Sequence, residues 1–217
     1  MIVEFVYGGS FDPLHKGHIN LVKQVISNIK QLNSGSYKIQ FRFLPCATPA
    51  LKKKTYNSFV ERSKKLRSTF TNYFIEQNIE MLVDEREGNR NVNTSSYTID
   101  SLRELEAENK NNNLSITRFL IIGADNFNGL ARWKEYQLLS NYCNLLVINR
   151  PNESLNDWLV KAKEYQFCPQ PENTHLLDLT ENCVGSCYYM EIPEINISST
   201  EIRERMKNNQ SVDKWLM

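Results

Sequence analysis

The chain has 217 residues, with 26 lysines and arginines against 25 aspartates and glutamates, and a net charge of +1. That balance gives no electrostatic case for duplex nucleic acid or an anionic membrane surface, and it points to small-molecule partners. No apolar run approaches the ~18 residues of a spanning helix and no charged-then-apolar leader is present, so a cytoplasmic protein is expected. Five scattered cysteines fit reduced thiols rather than a disulfide frame.

The first stretch organises the rest. Ile2 to Tyr7 reads as a buried strand running into Gly8-Gly9-Ser10-Phe11-Asp12-Pro13, and Ile19, Val22, Val25, Ile26 and Ile29 recur at helical spacing. A strand, a glycine-bearing turn and a helix collect anions, because the helix's first N–H groups and the positive end of its dipole face outward. Gly8 and Gly9 are expected to let backbone approach a phosphate, and Gly17 to let the chain pack between two imidazoles. His15 and His18, three apart at the helix start, can face one point and donate to charge developing on a phosphate. A zinc site would need a third ligand, and no cysteine or carboxylate stands at an obvious companion spacing.

Further along, Asn33 to Ser36 is a turn, Tyr37 to Leu44 alternates as a second strand, and Lys52, Lys53 and Lys54 follow on a loop suited to outer phosphates. Residues 56 to 76 read as a helix with Phe59, Leu66, Phe70, Tyr73 and Phe74 on one face, followed by a short strand at Met81 to Val83. Asp84 to Asn93 is polar, Ser95 or Ser96 is placed to cap the next helix, and Asn109 to Asn113 reads as a surface loop.

Arg118 to Gly123 is the clearest interior strand. At its carboxyl end Asp125 is a candidate for a ribose or adenine edge, or for a helix cap, and Trp133 is a stacking surface or a core residue. Leu145 to Ile148 forms a strand, residues 152 to 172 a surface helix and proline-containing loop, and Leu176 to Leu179 and Tyr188 to Ile192 two last strands. Ser198 with Glu201 fits a capping box, and Ser199, Thr200 and Arg203 make a second anion cradle. Strands and helices alternate without repeat or linker. This is the pattern of one doubly wound, Rossmann-like α/β domain over residues 1 to 217, its sheet mostly parallel with helices on both faces.

Gly8 to Pro13 followed by His15-Lys16-Gly17-His18 resembles the signature of the nucleotidylyltransferase superfamily. Ser96-Tyr97-Thr98-Ile99-Asp100-Ser101-Leu102, Phe119 to Asp125, Leu130 to Trp133, Val147 to Pro151 and Ile197 to Arg203 occur in the order that resembles bacterial nicotinate-nucleotide adenylyltransferases. The resemblance implies transfer of AMP from ATP to nicotinate mononucleotide, with magnesium, giving deamido-NAD and pyrophosphate. By the same resemblance His15 and His18 are catalytic, and Gly8, Gly9, Ser10, Phe11, Lys52, Gly123, Asp125, Ser199, Thr200 and Arg203 bind ATP. Thr98 and Trp133 receive the mononucleotide. No resident protein-bound metal is implied, and monomer or homo-oligomer is left open. The loop reads Pro49-Ala50-Leu51-Lys52 where the family usually has Pro-Pro-His-Lys, and the edge near Val212 to Trp215 is expected to be frayed or differently packed. Open alternatives are a sister enzyme acting on nicotinamide mononucleotide or phosphopantetheine, and a nucleotide-binding protein without turnover.

Overall fold

Near the middle of a parallel sheet runs β1 (Ile2–Gly9), the strand that leads into the glycine turn. The computed structural model describes residues 1–32, 37–49, 55–90, 95–149, 155–170, 184–193 and 197–216. Among these, six further strands are β2 (Lys38–Pro45), β3 (Glu80–Val83), β4 (Ile116–Gly123), β5 (Asn144–Asn149), β6 (Cys168–Pro169) and β7 (Ser186–Glu191). They pair in the order β3-β2-β1-β4-β5-β7-β6, every pair parallel. The chain steps outward from β1 to β3, then returns to lay β4 on the opposite side of β1. Open sheets bind ligands at such a reversal, beyond the carboxyl ends of the strands.

Helices cover both faces: α1 (Lys16–Leu32), α2 (Phe59–Gln77), α3 (Thr98–Asn111), α4 (Ala124–Asn128), α5 (Leu155–Glu164) and α6 (Ser199–Lys207). Because the sheet is buried on both sides, its strands are almost continuously apolar. Phe5, Phe41, Phe43 and Phe119 meet Val22 and Ile26 of α1 and Leu66, Phe70 and Phe74 of α2 in one core. On the opposite face Val6, Leu44, Leu120 and Ile122 share a second core with Ile99 and Leu102 of α3 and Trp158 and Ala162 of α5. Within this sheet Glu4 is fully buried, with Arg118 Nε at 2.6 Å and Arg42 Nε at 2.7 Å, and Arg42 continues to Asp84 at 2.7 Å. Paired this closely, the buried charges compensate one another.

Several local expectations are corrected. The second helix starts later than residue 56, at a capping box: Glu61 N–H donates to Ser58 Oγ at 3.2 Å and Ser58 N–H to Glu61 Oε2 at 2.8 Å. Neither Ser95 nor Ser96 caps α3. Its N-cap is Tyr97, because Ser96 is claimed by Thr48, whose N–H donates to Ser96 Oγ at 3.2 Å while Ser96 N–H donates to Thr48 O at 2.8 Å. Asn109 to Asn113 is no simple surface loop, since α3 runs to Asn111 and Asn109 is buried.

The cap of α4 is Gly123, not Asp125. The expected surface helix buries Trp158 and Ala162, and Cys168–Pro169 pairs with β7 instead of looping out. The segment near Trp215 is held rather than frayed: Lys16 N–H donates to Trp215 O at 3.0 Å, and Lys16 Nζ to Lys214 O at 2.7 Å. The turn at Asn33 to Ser36, the strand expected at Leu176 to Leu179, and Lys52 to Lys54 lie outside the described residues. No helix among the described residues is long and apolar enough to cross a membrane.

Candidate active site

Since α1 begins at Lys16, His15 stands at its N-cap and His18 at its third residue. His15 N–H donates to His18 Nδ1 at 3.3 Å, closing the first turn as the third residue of a capping box does. Neutral His18 accepting at Nδ1 therefore carries its proton on Nε2, a donor. The two rings are 3.8 Å apart between centroids. Nε2 of His15 lies 3.1 Å from Oγ of Ser199, the first residue of α6. His15 is only 6% exposed, and burial lowers its pKa to about 4, so the ring is neutral at pH 7. This packing leaves little room at Gly17: a Cβ there would stand 3.0 Å from His15 Cε1, His15 Nδ1 and Ile197 Cγ2.

Ser198 caps α6, its Oγ accepting from Glu201 N–H at 3.1 Å, while the Glu201 carboxylate accepts from Arg205 Nε at 3.1 Å. Arg203 donates to the Asp12 carbonyl through Nη1 and to Thr200 Oγ1 through Nη2 at 3.1 Å. The buried Asp12 carboxylate accepts from Tyr56 N–H, from Asn57 N–H at 2.9 Å and from Asn57 Nδ2 at 2.8 Å. Helices α1 and α6 thus bring their N-termini together beside the loop that leaves β1. Two sets of outward N–H groups flanked by imidazoles, hydroxyls and a guanidinium suit a polyanion.

Beside this cradle, at the carboxyl ends of β1, β2 and β4, is a cavity of about 180 Å³. Gly8, Gly9 and Ser10 form one wall, Thr98 and Trp133 another, and Leu44 with Leu120 to Ile122 supply an apolar floor. Trp133 is partly buried, packs on the second core and also lines the cavity. Gly123 and Asp125 do not line this cavity, although Ile122 and Asn126 of the same turn do; Asp125 is exposed. The Phe11 side chain is buried, with its backbone at φ 47, and its ring would lie 3.2 Å from a Cβ on Gly9. Gly9 is therefore small to admit Phe11, whereas a Cβ on Gly8 would meet nothing within 4 Å.

Two residues of the site escape sequence reading. Arg62 of α2 is buried and donates through Nη1 to Ser10 O at 2.6 Å and Cys46 O at 2.8 Å, tying the loop after β1 to the loop after β2. Its signal was a charge falling between Phe59 and Leu66 on an apolar stripe. Glu87 is buried in the cavity wall, and burial pushes its carboxyl up. Placed in a polar run, it carried no signal. Among the described residues no group of three or more His, Cys, Asp or Glu is arranged to hold a metal ion.

A glycine-bearing turn beside two helix N-termini at the reversal of a parallel sheet, with an aromatic-walled cavity next to it, is the build of a nucleotide-binding α/β protein. Within that class the chain belongs to the cytidylyltransferase-like family, whose model matches residues 6–205. It is 31% identical over 211 residues to a probable nicotinate-nucleotide adenylyltransferase of Vesicomyosocius okutanii subsp. Calyptogena okutanii (strain HA), covering 97% of this chain and 88% of that protein. A protein of the same name from Geobacter sp. (strain M21) is 31% identical over 212 residues, with 95% and 88% covered. Among solved structures, the Plasmodium falciparum nicotinic acid mononucleotide adenylyltransferase complexed with NaAD superposes with a TM-score of 0.65 at 18% identity, covering 100% of this chain and 91% of that one. This last likeness concerns the fold.

Proposed function

We propose that the chain, acting as one domain, transfers the AMP moiety of ATP to nicotinate mononucleotide, yielding deamido-NAD and pyrophosphate in NAD biosynthesis. The observation that carries this reading is the adjacency of the His15–His18–Ser199 cradle to the cavity walled by Thr98 and Trp133. One place suits a triphosphate, the other a stacked heteroaromatic ring, and the glycine turn joins them. The names of the relatives support the choice of nicotinate mononucleotide.

An oxygen of the mononucleotide phosphate attacks the α-phosphorus of ATP, a new O–P bond forms, and the bond to the β-phosphate oxygen breaks. The substrate supplies the nucleophile, so the protein's task is alignment and charge stabilisation. His18, donating from Nε2, and His15 are assigned to charge building on the phosphates. Ser199, Thr200 and Arg203 hold the triphosphate; so does Lys52, which lies outside the described residues. Gly8, Gly9, Ser10 and the backbone of Phe11 line its path, and Gly123 and Asp125 are assigned to the adenosine side. Thr98 and Trp133 take the pyridine mononucleotide. Magnesium, the proposed divalent ion, enters as part of the nucleotide substrate, bound chiefly by its phosphates. The Asp12 carboxylate already serves three donors in building the loop. A cytoplasmic location is proposed, supported by the free thiols of Cys46, Cys143, Cys168 and Cys187.

Pyrophosphate release by the purified protein, with ATP and magnesium, tests the reading against nicotinate mononucleotide, nicotinamide mononucleotide and phosphopantetheine in parallel. Release with the nicotinate compound is expected. Release only with another acceptor would move the substrate, and ATP binding without release from any acceptor would leave a binding protein.

A further inference from the structure

Glu87 lines the cavity from the loop after β3 and is 6% exposed. One of its oxygens is engaged by a side chain. Ser101 Oγ donates to Glu87 Oε1 at 2.9 Å and itself accepts from Arg90 Nη2 at 3.0 Å, while Arg90 pairs with Glu104 at 2.8 Å. With Glu87 ionised, Ser101 accepts from Arg90 and passes its own proton toward Glu87, which ends the chain as an acceptor. The other oxygen, Oε2, is buried and makes no hydrogen bond of normal geometry, although the Ser96 side chain and the Ala47 backbone stand close enough to favour the ionised carboxylate. Buried polar atoms are rarely left open, and one in a residue that lines a cavity calls for a donor.

The identity of that donor rests on the function proposed above, which puts the pyridine mononucleotide in this cavity. A carboxylate accepts and cannot donate when ionised. It repels the mononucleotide's phosphate and its nicotinate carboxylate, and neither has a donor to offer. The ribose hydroxyls are the donors that remain. We propose that Glu87 binds the ribose hydroxyls of the mononucleotide through Oε2, held in place by Ser101 and Arg90.

The test crosses the protein change with a substrate change. Wild-type protein and Glu87→Gln are each assayed for kcat and KM with nicotinate mononucleotide and with its 2′,3′-dideoxyribose analogue; KM for ATP and the melting temperature serve as controls. In wild type, losing the hydroxyls should lower kcat/KM for the mononucleotide roughly 10- to 100-fold, the range of a hydrogen bond to a charged group. Glu87→Gln should lose a similar factor with the natural substrate, little more with the analogue, and nothing in KM for ATP. Losses that simply multiply would overturn the assignment, as would a variant that trades nicotinate for nicotinamide preference and so puts Glu87 at the pyridine substituent. Undiminished use of the analogue by wild type overturns it too, whether or not the variant folds. If wild type releases no pyrophosphate with any pyridine mononucleotide, the proposed function falls and takes this assignment with it. Normal wild-type turnover with multiplying losses removes the Glu87 role alone.

Discussion

His15 and Ser199 stand 184 residues apart in the chain, yet Nε2 of the first lies 3.1 Å from Oγ of the second. This contact couples the starts of α1 and α6 in a place where burial disfavours the protonated imidazole. Unfolded, His15 gains a proton as pH falls through its ordinary value of 6.5; folded, it refuses one until about 4. The unfolded state thus binds more protons across that window, so stability should rise with pH from about 4 to 6.5. The contribution is roughly 3–4 kcal/mol, at about 1.4 kcal/mol for each pH unit of that window. Urea titrations of wild type and His15→Asn across this range should show the gap between them widening toward pH 6.5, and a constant gap would contradict the assigned burial effect.

His18→Ala removes the proposed Nε2 donor. Turnover should fall by about 10²–10³, or roughly 2.7–4 kcal/mol of barrier. The fold should lose only about 0.5–1.5 kcal/mol, for the open His15 N–H. Single-turnover rates at saturating substrates check this, and an unchanged rate removes His18 from the chemistry.

Gly17→Ala places a methyl 3.0 Å from the His15 ring and from Ile197 Cγ2. Overpacking of this kind costs about 1–3 kcal/mol. Here it also displaces His15 from Ser199, so activity should drop further than the loss of folded protein explains. Melting temperature and kcat measured together make the comparison.

Arg62→Met leaves the Ser10 and Cys46 carbonyls without their shared donor, at a cost of roughly 3–5 kcal/mol in unfolding free energy. Arg62→Lys keeps a charge but lacks the fork that serves both oxygens, and should fall between. Denaturant midpoints rank the three proteins; equal midpoints would mean that the two loops hold themselves.

Trp133→Ala should weaken the mononucleotide by about 1–3 kcal/mol, the range for a base stacked on an aromatic ring. The KM for ATP should stay put. Equal weakening of both substrates would make Trp133 a core residue alone.

The apolar runs carried the sheet legibly, because strands buried on both faces have nothing to hide: β1, β2, β4, β5 and β7 fall where Val, Ile, Phe and Tyr accumulate. Brief or charged pieces were harder. The strand β6 is two residues, Cys168–Pro169, too short for any period. The start of α3 went astray because Ser96 had two uses, and tertiary pairing with Thr48 outcompeted capping. The motif residues of the site were legible as chemistry, but which of them share a wall was not. Gly8 and Thr98 face one cavity only because β1 and the start of α3 converge, and Glu87 looked like any solvated acid.

Glu4 sits opposite Arg118 on one neighbouring strand and opposite Gln40 on the other. Strands that are apolar on both sides keep a slipped side chain buried, so the apolar pattern alone specifies their alignment less sharply than in a sheet with one wet face. A slip of one residue would drive this carboxylate into the phenylalanine layer around Phe5. Glu4 therefore works as a keyway: by locking β1 to its neighbours about 13 Å below the rim, four residues at the rise of a strand, it decides that the glycine turn after β1 and the turn after β4 emerge at matching heights. The heights of the two turns at the top of the sheet thus lean on an ion pair near its base.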